Sequence, residues 1–257
     1  MNGTSEEVDG QPSIVREPLA GFRIAAESYG AINPPKRGYF FPDDVGVWNR
    51  YDTTGRTLYA ASTRQGAFTE CLDGYRLDRK SRTAIDFMAE LFNITQAEAH
   101  ALHIEEQKAL GHDEPGTFPR NWREGRRLYE LTSKTDLLWF DLNTAHSLAY
   151  IDRTLGSEIA NTCGVNAVDL SHLLGADRKL TTLISTRLRN LRLRDGSFAD
   201  GIRFTSRHGV GTCWAFWMRR TDDGLDNELV FASEGRKIRA DDRDLLNVSE
   251  RFNIRFS

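Results

Sequence analysis

Cysteine is scarce: Cys71, Cys163 and Cys213 are the three in 257 residues. They are far apart, odd in number and form no Cys-x-x-Cys pair, which excludes a disulfide framework and a zinc knuckle and fits a reducing cytoplasm. Long apolar runs are also missing. No uninterrupted stretch approaches the roughly 18 residues that a membrane span needs. The first 18 residues, MNGTSEEVDGQPSIVREP, are polar and acidic without an apolar core, so no signal peptide is expected and the stretch reads as a flexible tail. Charge of one sign is not in surplus either. Lys and Arg number 34 and Asp and Glu 37, for a net charge of -3, which argues against a protein that coats nucleic acid or membrane. Four common signatures are absent: G-x-G-x-x-G, the Walker A loop, H-E-x-x-H and G-x-S-x-G. Their absence removes the sequence case for a Rossmann dehydrogenase, an NTPase, a zincin or a serine hydrolase.

What is present suits a soluble globular chain, with 39% hydrophobic and 28% charged residues. One domain over residues 19–257 is expected. Strands are predicted at Gly21–Ser28, Arg56–Ser62, Arg126–Thr132, Leu137–Leu142, Ile202–Arg207, Cys213–Arg219 and Leu229–Ala232, with an edge strand over Asn253–Phe256. Tyr29–Val47 and Gly111–Glu124 read as loops, and Tyr39, Phe40 and Phe41 suggest that the first folds back over a site. Helices are predicted at Ser81–Leu91, Thr95–Leu110, Ser147–Leu155, Val168–Leu174, Leu180–Leu191 and Asp241–Phe252. The first two form a helical hairpin inserted over about residues 80–112, with Thr95 and Glu98 spaced as a capping box. His100 and His103 share a face there, but no further ligand sits at metal spacing, so no metal site is expected. Arg187, Arg189, Arg192 and Arg194 read as ordinary dipole partners at a helix end rather than a nucleic-acid patch. The order of elements is not a regular βαβ alternation, and the fold class is α+β, a mixed β core with surrounding helices.

The stretch Trp48–Cys71, WNRYDTTGRTLYAASTRQGAFTEC, organises the rest. It reads as loop, strand, then a helix starting near Thr63, with Ser62 and Gln65 as a capping box and Ala67, Cys71 and Tyr75 as the buried stripe. Arg50 precedes the strand, Tyr59 lies in it, and Glu70 sits beside the apolar face, near Gly66 and Gly74, where a ligand can approach a carboxylate. Later, alternation puts Ile202, Phe204 and Ser206 on one strand face. The plainer alternatives stay open here: a water-facing Glu70, a surface Arg50, a core Tyr59, a strand-end Ser206 and a structural Arg23.

Arg23 in GFRIAA, Arg50-Tyr51-Asp52, LYAAS around Tyr59, AFTEC with Glu70, and DGIRFTS with Ser206 together resemble the RES domain family. The resemblance covers roughly residues 21–257 in outline and is specific at residues 48–72, 200–209 and 213–218. It departs from the family in a longer helical insertion and in Arg50-Tyr51-Asp52, where Arg-Trp-Asn or Arg-Phe-Asp is commoner. It implies an ADP-ribosyltransferase-like fold and a cytoplasmic toxin that cleaves the nicotinamide–ribose bond of NAD, with water or inorganic phosphate as acceptor. It implies, too, a cognate Xre-like antitoxin that blocks the site, and leaves room for a homo-oligomer. Such a reaction needs a fixed carboxylate near the ribosyl carbon, for which Glu70 is the candidate. Arg50 and Arg23 would hold the diphosphate, Tyr59 would stack on nicotinamide, and Ser206 would hold Glu70 or a ribose hydroxyl. The competing expectations are a protein ADP-ribosyltransferase and a catalytically silent binding module.

Overall fold

A computed structural model describes residues 5–38, 45–110, 116–225 and 228–256. Twelve strands occur among them: β1 Ser5–Glu6, β2 Ile14–Glu17, β3 Ala20–Ala26, β4 Thr57–Ala61, β5 Thr117–Phe118, β6 Arg126–Ser133, β7 Leu137–Asp141, β8 Gly201–Thr205, β9 Thr212–Trp217, β10 Val230–Ala232, β11 Arg236–Lys237 and β12 Arg255–Phe256. Ten belong to one sheet, ordered β1-β2-β7-β8-β9-β4-β3-β6-β10, with β11 also on β6. Its pairs are antiparallel except β7–β8. A separate parallel pair joins β5 to β12. The helices are α1 Arg64–Leu72, α2 Arg79–Phe92, α3 Gln96–Ala109, α4 Arg120–Glu124, α5 Ala145–Cys163, α6 Leu170–Leu174, α7 Arg178–Arg189, α8 Arg219–Asp222 and α9 Arg243–Phe252. The α+β class with an inserted hairpin is therefore the observed one.

The central strands are buried on both faces, which is why β9 reads TCWAFW without polar alternation. Cys213, Ala215 and Trp217 face the core shared with α1, α5, α7 and α9; Trp214 and Phe216 face a second core. That second core is almost wholly strand residues, including Leu58, Leu131 and Trp139, so the sheet curls around it. Trp139 lies 6.4 Å from Trp214 and 6.3 Å from Phe216 between ring centres. Gly201 is required at the β8–β9 crossing. A Cβ there would lie 2.2 Å from the Ala215 carbonyl oxygen and 2.8 Å from the Trp139 ring.

Several boundaries correct the sequence expectations. Residues 5–17 are not a tail: β2 pairs with β7, Val15 is fully buried, and the Ser13 N–H donates to Ser147 Oγ. Polarity misled because Glu17 is buried as the partner of Arg203 and accepts from the Trp214 indole N–H at 3.0 Å. Thr63, not Ser62, caps α1, accepting from the Gly66 N–H, while Ser62 Oγ accepts from Thr212 N–H across the sheet. Gly66, Ala67, Phe68, Thr69 and Leu72 are the buried residues of α1, and Cys71 and Tyr75 are only half-buried. Residues 117–124 carry β5 and α4 rather than loop, because Phe118 and Trp122 pack edge to face at 5.6 Å. Helix α5 runs past Gly156 because Ile151, Leu155 and Ile159 continue one buried stripe. The Tyr39–Phe41 loop expectation lies outside the described residues, as do residues 111–115 of the second.

The inserted hairpin forms as expected, with the Thr95–Glu98 capping box in place and His100 and His103 buried inside it. Among the described residues no helix is long and apolar enough to cross a membrane.

Candidate active site

The elements around residues 48–72 converge because β4 lies between β3 and β9, and β8 follows β9. Helix α1 leaves β4 directly and packs on β3 and α9. The result is a cavity of about 460 Å³ lined by Arg23, Arg50, Tyr59, Glu70, Cys71, Arg178, Phe204, Arg207 and Cys213, among others. Arg23, Arg50, Tyr59 and Glu70 thus share one wall system, and Ser206 joins them through a hydrogen bond.

Glu70 ends the second turn of α1 at the exposed rim of the cavity. Its Oε1 accepts from Ser206 Oγ at 2.6 Å. Ser206 is 2% exposed and accepts in turn from the His208 backbone N–H at 3.2 Å, so its own proton goes to Glu70. The tight turn after β8 sets this geometry: the Gly209 N–H donates to the Ser206 carbonyl.

Arg50 is buried on a loop whose neighbours are pinned. Its guanidinium donates to the Leu174 carbonyl at 3.1 Å and lies 5.4 Å from the Tyr51 ring and 5.1 Å from the Phe204 ring. The Tyr51 hydroxyl donates to the Leu173 carbonyl, and Ser185 Oγ donates to the Tyr51 carbonyl. Tyr59 holds the same loop from the other side. Its hydroxyl donates to Asp52 Oδ1 at 2.9 Å and accepts from the Tyr51 N–H at 3.1 Å. Burial first, and Asp52 second, push this phenol well above its ordinary value of 10.0, so it stays neutral. With the hydroxyl committed to the scaffold, the ring is what Tyr59 offers the cavity.

Arg23 donates to the Tyr59 carbonyl at 3.3 Å, and its Nε is buried with no hydrogen-bond partner. Burial lowers its pKa below the usual guanidinium value. Desolvation likewise holds the two cavity thiols protonated, Cys71 pushed up to about 11 and Cys213 to about 12.

Four further residues carry no role in the sequence reading. Asp52 is 3% exposed and accepts from Arg37 Nε and the Asn49 N–H, both at 3.0 Å. Arg178 opens α7 and lines the cavity; burial, then the positive charges of Arg50 and Arg207, lower its pKa. Arg207 pairs with Asp73, which also meets Arg76 at 3.4 Å. Asp52 adjoins Arg50 and Tyr51 in the sequence, but nothing local marks Arg178, which reaches the cavity only through the packing of α7. The other arginines of that helix are structural: Arg187 pairs with Glu158 and Arg189 with Asp222.

Among the described residues, Arg23, Arg50 and Arg178 have no carboxylate within ion-pair distance, although all three line one cavity. Buried charges are normally paired. Four arginines against Glu70 and Asp73 make the cavity cationic; Asp73 is paired with Arg207, whereas Glu70 is held by a hydroxyl rather than by a cation. No cluster of three or more His, Cys, Asp or Glu among the described residues is arranged to hold a metal.

The molecule is thus an α+β protein with a cationic cavity on the helix-covered face of a curled sheet. No family model and no curated protein matches its sequence. Among solved structures it is similar to a chain in the crystal structure of the M. tuberculosis MbcT–MbcA toxin–antitoxin complex, at 11% identity and a TM-score of 0.42, over 93% of this chain and 90% of that one. The functional case therefore stands on this chain's own residues.

Proposed function

We propose that this protein is an NAD-degrading toxin that breaks the nicotinamide–ribose bond. The observation that carries the reading is Glu70, fixed by Ser206 on a cavity wall shared with Arg23, Arg50 and Arg178, three cations without carboxylate partners. A diphosphate supplies the anion such a cluster lacks, and a planar guanidinium meets its oxygens in pairs. The Tyr59 ring offers a flat surface for nicotinamide. Departure of nicotinamide takes the bond electrons with the neutral base and leaves positive charge on the ribosyl carbon. A carboxylate beside that carbon stabilises the charge as it develops. Water or inorganic phosphate then forms the new bond to the carbon and gives up a proton, yielding ADP-ribose or its 1-phosphate. Neutralisation by a small DNA-binding antitoxin belongs to the same reading and rests on the resemblance to the RES family.

The test is nicotinamide release from NAD by purified protein, with and without added phosphate. Glu70→Gln is expected to lower turnover by roughly 10²–10³-fold while the protein stays folded. Arg178→Ala should raise KM more than it lowers kcat, since a diphosphate contact is made in ground and transition states alike. Full turnover in both variants would sink the assignment. Radiolabel from NAD that stays on protein would report transfer of ADP-ribose to protein instead.

A further inference from the structure

We infer that α2 is a self-association surface, along which two copies of this chain pair antiparallel. The hairpin stands on its own small core of Leu77, Ile85 and Ala99, and α2 buries Ile85 there. On the opposite side Phe87 and Leu91 are 61% and 60% exposed. Lys80, Ala84, Phe87 and Leu91 follow a four-three-four spacing, which brings them into one stripe, the seam of a two-helix coiled coil.

The charges of α2 name the occupant. Arg79, Lys80 and Arg82 sit in its first turn, and Asp86 and Glu90 follow toward the other end. Asp78 caps the N-terminus by accepting from the Ser81 N–H, but within the helix the first turn holds no acidic residue and the last no basic one, so its basic residues lie at the positive end of the dipole. Helix α3 of the same hairpin obeys the dipole, with Glu98 in its first turn and Lys108 in its last. Lys80 and Glu90 have no ion-pair partner among the described residues. An antiparallel second copy accounts for the arrangement. Lys80 then meets Glu90 of the partner subunit, its methylene stem covers the partner's Leu91, and Phe87 packs over the partner's Ala84. A two-fold axis through the middle of α2 makes both ends identical, so the contact closes at two copies. Parallel pairing would set like charges side by side. A helix of 14 residues is about 20 Å long, so the contact is small and the dimer concentration-dependent.

Sedimentation velocity on the full chain, from about 1 to about 100 μM, tests this. A reversible monomer–dimer equilibrium is expected. Phe87→Asp or Leu91→Asp should leave monomer throughout, and Lys80→Glu should weaken the dimer about ten-fold or more. Lys80→Glu combined with Glu90→Lys should restore it, because the reversed charges are again complementary in the antiparallel pair. All four positions are exposed, and circular dichroism checks that the variants stay folded. Monomer at every concentration of the parent chain, a dimer indifferent to Phe87→Asp, or failure of the double reversal would each overturn the inference.

Discussion

Tyr59 shows how one side chain divides its work. Its hydroxyl ties the Tyr51 N–H to the Asp52 carboxylate, and its ring faces the cavity that Arg50 lines. Tyr59→Phe keeps the ring and strands a buried donor and acceptor, so it should cost about 1–3 kcal/mol of stability, read by denaturant unfolding. Nicotinamide release should survive that change and fail in Tyr59→Ala. Because the phenol is held above 10, its ionisation lies beyond the working range, and no fall in rate up to pH 10 should trace to it. At this scale the residue types were legible in advance, since carboxylate, guanidinium, aromatic ring and hydroxyl each have a limited chemistry. Their commitments were not. The resemblance left Ser206 a choice between Glu70 and a ribose hydroxyl, and the structure gives its proton to Glu70; nothing local revealed that Asp52 closes a network through Arg37.

Elements with a strong local signal lie close to their predicted places. The α3 cap is an instance: the Thr95 N–H donates to Glu98 Oε2 at 2.8 Å and the Glu98 N–H to Thr95 Oγ1 at 3.2 Å. Thr95→Ala should cost about 1 kcal/mol, seen as faster hydrogen exchange in α3 with nicotinamide release unchanged. Where two caps compete within one residue, the sequence misassigned the boundary. Ser62 and Thr63 are both good caps, and the sheet decided between them by giving the Ser62 hydroxyl to Thr212. Short elements were lost for a related reason. β5 and α4 have little pattern of their own and exist because Phe118 and Trp122 find Tyr75 and each other.

On the scale of the molecule, β2 is locked by charge. Arg203 on β8 meets Glu17 of β2 at 3.1 Å and Asp141 of β7 at 2.6 Å, and both carboxylates are buried. Arg203→Ala leaves two buried carboxylates without their cation and should cost about 3–5 kcal/mol, whereas the same change at a surface arginine costs little. Thermal unfolding measures it, and a shift of less than a degree would contradict the account. Removing residues 1–18 should destabilise the fold for the same reason. The sequence by itself determined the α+β class, the helical hairpin and the kinds of side chain available for chemistry, because periodicity, caps and turn residues are local and carry their own physics. Only the tertiary structure decided that residues 14–17 belong to the sheet, that Arg178 reaches the cavity, and that Glu70 is held by Ser206 and not by a cation. Those outcomes depend on contacts across more than a hundred residues, where burial and charge pairing, not local propensity, choose the partner.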